Sequence, residues 1–276
     1  MVPYWSYDPI VEWGWLKVHA FGVLVAIGIL VGSWVTLRRA KERNLDELHL
    51  RSAITWLLVG GFVFAHLFTI VAYEPEKIAA DPLVLFRLWE GLASTGGFLG
   101  AFIGLYLYCR RYHVAFGPYA DVVALGLLPG WMFGRAGCFT AHDHPGYLTD
   151  FPLAVAYPGG ARHDLGFYEL LFTVVLFVVM EIVRRKWKDA PGGRMAILIG
   201  LIYSPVRFAL DFMRIGNKDP SGLHGDVRYL GLTPAQYAFI VLFLICVALL
   251  LRKQRPDAPA ATTQKGAGGR KTAKAG

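Results

Sequence analysis

Apolar residues run along this chain in blocks of about 20, the length a helix needs to cross roughly 30 Å of hydrocarbon. The blocks fall at 19–37, 53–73, 92–109, 119–140, 166–183, 195–213 and 234–251. They are too long for strands and lack period-two alternation. The pattern predicts an all-α, polytopic membrane protein with seven transmembrane helices. Residues 1–255 make up this membrane domain. Residues 256–276 are rich in Ala, Gly and Lys without apolar period, and are expected to form a disordered cytoplasmic tail.

Charge gives the bundle a direction. The chain has 276 residues, 55% hydrophobic and 17% charged, with a net charge of +8. An ordinary soluble domain carries about 25% charged residues, so a single water-facing globule is excluded. A basic, apolar chain suits either nucleic acid or a membrane, and position decides between them. Of the 28 Lys and Arg, 19 lie in the connections after blocks one, three and five and beyond block seven. Seven lie in the other connections, and Arg135 and Arg207 fall inside blocks. By the positive-inside rule the N-terminus is outside and the C-terminus cytoplasmic. Membrane lipids, and not nucleic acid, are the expected partners.

Smaller features agree with that direction. The first 17 residues hold Asp8 and Glu12 with no basic run, so a removable signal peptide is not expected. Trp5, Trp13 and Trp15 suit an interfacial aromatic belt. Three scattered cysteines, Cys109, Cys138 and Cys246, offer no disulfide framework. Gly96, Gly100 and Gly104, then Gly126, Gly130 and Gly134, recur every four residues, with Gly28 and Gly32 likewise spaced. Such stripes let helix backbones approach closely in lipid.

The charges inside the apolar blocks carry the functional signal, because an ionisable group at bilayer depth faces a bundle interior or a wet cavity. Arg207 and Asp211 are one helical turn apart and share a face, with Arg214 nearly in line. The fourth block ends in Arg135 and runs into His142-Asp143-His144. One reading is purely structural: Arg207 pairs with Asp211, and Arg135 with Asp121 or Asp143. The other is an anion site, since guanidinium forks bind phosphate bidentately and neighbouring glycines admit a ligand to the backbone. In a membrane that phosphate belongs to a lipid head group.

At these residues the chain resembles the bacterial prolipoprotein diacylglyceryl transferases. Their hallmark G-R-x-G-N-F-x-N-x-E-x-x-G is met by Gly134, Arg135, Gly137, Phe139 and Gly146. The block H-P-S-Q-x-Y-E is met by His163, Tyr168 and Glu169, and R-F-x-x-E-F-x-R by Arg207, Phe208, Phe212 and Arg214, with Asp211 for Glu. H-W-Y-G is met by His19 and Gly22, and G-x-S-x-H-G-G, laid on 91–97, by Gly96 and Gly97, with Ser94 one place after the serine. Cys138 and Ala141 stand at the two hallmark asparagines, Asp143 at the glutamate, Phe21 at a tyrosine and Thr95 at a histidine.

The resemblance implies a seven-helix enzyme, a monomer of the bacterial inner membrane, with its active site on the outer side. It implies transfer of diacylglyceryl from phosphatidylglycerol to the lipobox cysteine beside a prolipoprotein's signal peptide, without metal or organic cofactor. Arg135 and Arg207 are then expected to hold phosphate. Asp143, His142 or His144 acts as base or orienter. His163, Tyr168 and Glu169 order the outer loop, and Arg214 supports the head group. His19, Ser94, Gly96, Gly97, Gly134, Gly137, Gly146 and Asp211 complete the substrate-binding set. Three alternatives stand beside it. Cys138, His142, His144 and His163 could ligate zinc. The chain could bind phospholipid or lipoprotein without catalysis, or serve a different lipid or acceptor.

Overall fold

The computed structural model describes residues 1–5, 10–13, 16–88, 91–216, 222, 223 and 225–252. Seven long helices carry the fold: α1 (Ala20–Glu42), α2 (Glu47–Phe68), α4 (Ser94–Tyr112), α5 (Phe116–Ala141), α6 (Leu165–Lys186), α7 (Arg194–Leu210) and α8 (Pro234–Leu251). A π-helical turn extends α2 to Tyr73, and α3 (Pro75–Ala80) is a short helix in the connection that follows. Among the described residues, six helices are long and apolar enough to cross a membrane. The remaining long helix is α4, whose 19 residues are diluted by four glycines and by Arg110 and Arg111.

Two antiparallel pairs form the centre, α1 on α5 and α2 on α4, and in both the glycine stripes are the contact. A Cβ on Gly28 would lie 2.6 Å from the Gly130 carbonyl oxygen, and one on Gly126 2.6 Å from that of Gly32. On the other pair, a Cβ on Gly96 would meet the Phe64 carbonyl at 2.3 Å and one on Gly104 the Trp56 carbonyl at 2.4 Å. Gly100 is the tightest on this pair, with the Gly60 carbonyl 2.1 Å from the position of its missing Cβ. Gly100→Ala should therefore lower stability by about 1–3 kcal/mol through overpacking. Thermal unfolding in detergent measures this, with Gly22→Ala, which meets nothing within 4 Å, as the control that keeps its melting point.

The two ends of the bundle differ. At the arginine-rich end, Arg39 reaches Glu42 (2.7 Å) and Glu181 (2.6 Å), while Arg184 reaches Glu42 (2.8 Å) and Glu181 (2.9 Å), tying α1 to α6. Asp121 also lies here, accepting the Gly193 and Ala196 amides at the start of α7 (3.0 and 2.9 Å). It sits roughly 21 Å along α5 from Arg135, which removes it as that arginine's partner.

The opposite end holds connections the apolar pattern does not show. β1 (Val11–Trp13) pairs with β2 (Leu16–Val18), and β3 (Pro145–Leu148), β5 (Gly160–Asp164) and β4 (Val155–Tyr157) form a three-stranded antiparallel sheet in that order. Two small sheets thus qualify the all-α expectation; the strands are short and lie outside the apolar blocks. Trp5 and Trp13 are exposed at this end, whereas Trp15 and the expected tail lie outside the described residues.

Candidate active site

The site is assembled where α5, α6 and α7 approach the strand-bearing end. Glu169, on the first turns of α6, is 2% exposed and stands between two arginines. Its Oε1 is 3.0 Å from Arg135 Nε and its Oε2 3.4 Å from Arg207 Nε. Oε1 also accepts from Trp131 Nε1 (3.2 Å) and from the Tyr203 hydroxyl. Arg207 donates through Nη1 to Asp211, whose other oxygen accepts from Thr233 Oγ1 (2.6 Å). Two buried positive charges are balanced by two carboxylates, as burial at this depth demands.

The two arginines are nevertheless held differently. Arg207 is engaged by carboxylates at both Nε and Nη1. Arg135 meets Glu169 at Nε only, and its terminal nitrogens face three neutral groups at long range: Cys138 Sγ (3.5 Å), His144 Nε2 (3.3 Å) and Ser94 Oγ (3.5 Å). Its guanidinium lies over the Trp131 ring at 4.3 Å. Among the described residues the outer edge of Arg135 is therefore a charged fork without a charged partner, the arrangement an anion completes.

His144 reaches this edge because α5 ends in a left-handed turn at His142 (φ +48°), which folds the chain back over the helix end. His144 Nδ1 is hydrogen-bonded to Asp143 Oδ1. Burial alone would raise the Asp143 carboxyl, but the hydrogen bond and charge of His144, with Arg135 and Arg214, hold it below its usual range. Burial lowers the His144 imidazole, and Arg214 and Arg135 lower it further against the opposing pull of Asp143. Cys138, Asp143 and His144 each place a donor atom within 4.8 Å of the others. The Arg135 guanidinium, within 3.5 Å of both the sulfur and the imidazole, supplies the positive charge there, so a zinc ion is disfavoured.

His142 is committed elsewhere. Its Nδ1 bonds Asp164 (2.9 Å), its Nε2 the Trp5 carbonyl (3.1 Å), and Tyr4 stacks on its face. Asp164, fully buried, also accepts from the Tyr157 hydroxyl (2.8 Å) and caps α6 through the Phe167 amide (2.9 Å). This cluster fixes the N-terminal segment and the strand connection over the site.

An apolar cleft of about 310 Å³ opens between the α1–α5 and α2–α4 pairs. Ile29, Leu57, Leu58, Phe62 and Leu127 line it, and it reaches Ser94, Gly97, Trp131 and Gly134 beside the Arg135 fork. From Val123 to Gly134 it follows α5 for roughly 16 Å.

The residues singled out in the sequence distribute as follows. Arg135, Arg207, Asp211, Asp143, His144, Ser94 and Glu169 come together. Glu169, expected to order the outer loop, lies between the arginines, because it faces inward on α6. Arg135 pairs with it and not with Asp121 or Asp143. Gly134 and Gly97 face the cleft, whereas Gly96 is packed on α2, Gly137 on Phe21 and Gly146 on His163 and Met213, with no room for a Cβ at Gly96 or Gly146. His163 bonds Tyr168 (3.0 Å) on the connection, and Arg214 pairs with Asp226 (2.8 Å). His19 precedes α1 and is exposed. Trp131 and Tyr203 are additions to the expected set, yet each lies four residues before a buried arginine, a helical spacing that points to them.

The family model described as prolipoprotein diacylglyceryl transferase matches residues 9–252. A Chromohalobacter salexigens protein is 31% identical over 268 residues, covering 92% of this chain and 96% of its own. One from Nitratidesulfovibrio vulgaris is 31% identical over 278 residues, covering 95% and 100%. Both are named phosphatidylglycerol–prolipoprotein diacylglyceryl transferase. With the match spanning most of its length, the chain belongs to the prolipoprotein diacylglyceryl transferase family.

Proposed function

We propose that this chain transfers the diacylglyceryl group of phosphatidylglycerol to the lipobox cysteine thiol of prolipoproteins. The observation that carries this reading is the open fork of Arg135 at the end of the apolar cleft. Acyl chains take the cleft, burying apolar surface, and the phosphodiester meets the two terminal nitrogens of Arg135 and the Ser94 hydroxyl. Transfer breaks the bond between the glycerol carbon and the phosphate oxygen. The departing glycerol phosphate then gains charge, from one negative charge to nearly two. A guanidinium already in place, with Arg207 behind it across Glu169, stabilises that growing charge more than it does the bound lipid, which is what lowers a barrier.

In this reading α4 is the seventh span and the chain is a monomer of the bacterial inner membrane. The arginine-rich end is cytoplasmic by the positive-inside rule, which puts the strand connections and the site on the outer side. There a lipobox thiol arriving with its signal peptide meets a lipid held from the side. The test is purified chain in phosphatidylglycerol vesicles with a lipobox peptide, read by mass spectrometry. The peptide should gain one diacylglyceryl group, and the same vesicles with a Cys→Ser peptide should give none. Binding of phosphatidylglycerol without any gain in peptide mass would favour a lipid-binding member that lacks catalysis.

A further inference from the structure

We infer that His144 Nε2 is the group that takes the proton from the attacking thiol, held in the required tautomer by Asp143. The inference rests on the transferase reading and names the base within it.

The tautomer follows from the partners. A guanidinium donates and cannot accept, so the Arg135 Nη1 that lies 3.3 Å from Nε2 must donate to it. Nε2 therefore carries the lone pair, and the ring proton sits on Nδ1, donated to Asp143. That lone pair is aimed at the edge of Arg135 where the phosphodiester binds. When phosphate takes the Nη1 hydrogen, Nε2 is released to accept another, within reach of a thiol lined up on the adjacent carbon.

Among the described residues no other titratable group at the fork is available in this way. Glu169 is held between two arginines, and Asp211 by Arg207 and Thr233. The Tyr203 hydroxyl is donated to Glu169, and His142 is bonded at both nitrogens. Cys138 is buried against Arg135. The charges facing His144 are Arg135 on α5, Glu169 on α6, Arg214 beyond α7 with its partner Asp226, and Asp143 on its own turn. Burial and the two arginines favour the neutral imidazole, the form a base requires, against the pull of Asp143. Thr95, which stands where related sequences have histidine, is buried against the helix pair and offers no base of its own.

The step balances without a co-reactant. The thiol proton passes to Nε2, and the sulfur pair forms the S–C bond to the glycerol carbon. The C–O pair leaves on the phosphate, and the imidazolium returns its proton to that phosphate. The products are the thioether and glycerol phosphate, with His144 neutral again.

The test is the full chain in phosphatidylglycerol vesicles with a lipobox peptide, comparing wild type, His144→Gln and Asp143→Asn. His144→Gln should lower kcat about 100-fold or more, with KM for phosphatidylglycerol within about threefold of wild type. Asp143→Asn removes the carboxylate that raises the imidazole, so the acid limb of kcat/KM should move to lower pH. His144→Gln with wild-type kcat would overturn the inference, as would loss of lipid binding in step with kcat, which would make His144 a phosphate-holding group. If His144→Gln fails to fold, an acid limb unmoved in Asp143→Asn overturns it equally. A wild-type chain that transfers nothing would instead sink the transferase reading itself, and this inference with it.

Discussion

Arg135→Ala should reduce turnover about 1,000-fold or more, the loss expected when a pre-positioned donor pair at a developing negative charge is removed. Arg135 is 1% exposed, so its charge works in a low-dielectric setting. Among the described residues its two terminal nitrogens are the ones left without a carboxylate, and Ser94 and His144 converge on them. Arg135→Lys is the sharper variant. Lysine keeps the charge but presents a point donor on a flexible stem, so it loses the planar fork. It should hold the fold, since it still balances Glu169, while kcat falls well below wild type. Single-turnover release of glycerol phosphate reads both variants directly. An Arg135→Lys enzyme with wild-type kcat would show that charge alone suffices and that the fork geometry is irrelevant.

Glu169→Gln should produce the largest loss of stability. Glutamine keeps the shape and one acceptor oxygen, but it leaves two buried guanidiniums with one carboxylate, Asp211, which pairs with Arg207. Breaking a buried pair on one side costs about 3–5 kcal/mol. In a protein of this size that corresponds to a melting point lower by on the order of 10 °C. The amide nitrogen would also confront a donor: Arg207 Nε if it replaces Oε2, or Arg135 Nε, Trp131 Nε1 and the Tyr203 hydroxyl if it replaces Oε1. Activity should fall together with stability, because Arg135 loses the group that fixes its Nε edge. Thermal unfolding in phosphatidylglycerol-containing micelles separates the two effects: bound lipid adds a negative charge at the arginines, so it should stabilise Glu169→Gln more than wild type.

Much of the fold is legible in the apolar pattern. All seven blocks are long helices, and the glycine stripes are the two closest helix contacts. The position of Glu169 is legible too. Leu165, Glu169, Thr173, Leu176 and Met180 are all buried on α6, an i, i+4, i+8 stripe in which the one acid faces the core. Expecting Glu169 to order the outer loop overlooks that period. The rise of a helix likewise keeps Asp121 and Arg135 apart, since 1.5 Å per residue puts them at opposite ends of one span. Other features leave no such mark. The strands are three to five residues long, too short for alternation to register. Asp226, which pairs with Arg214, and Arg228, which donates to the Asp211 and Arg214 carbonyls (2.9 and 3.0 Å), sit in an irregular connection. The path of such a segment is set by tertiary contacts that no local period encodes.

One reaction at one phosphate fixes the product stoichiometry. Purified chain, phosphatidylglycerol vesicles and a lipobox peptide should yield thioether-linked peptide and glycerol phosphate in equal amounts, both absent with Arg135→Ala. Peptide modified without glycerol phosphate, or equal yields from Arg135→Ala, would contradict the assignment of Arg135 as the group that holds the leaving phosphate.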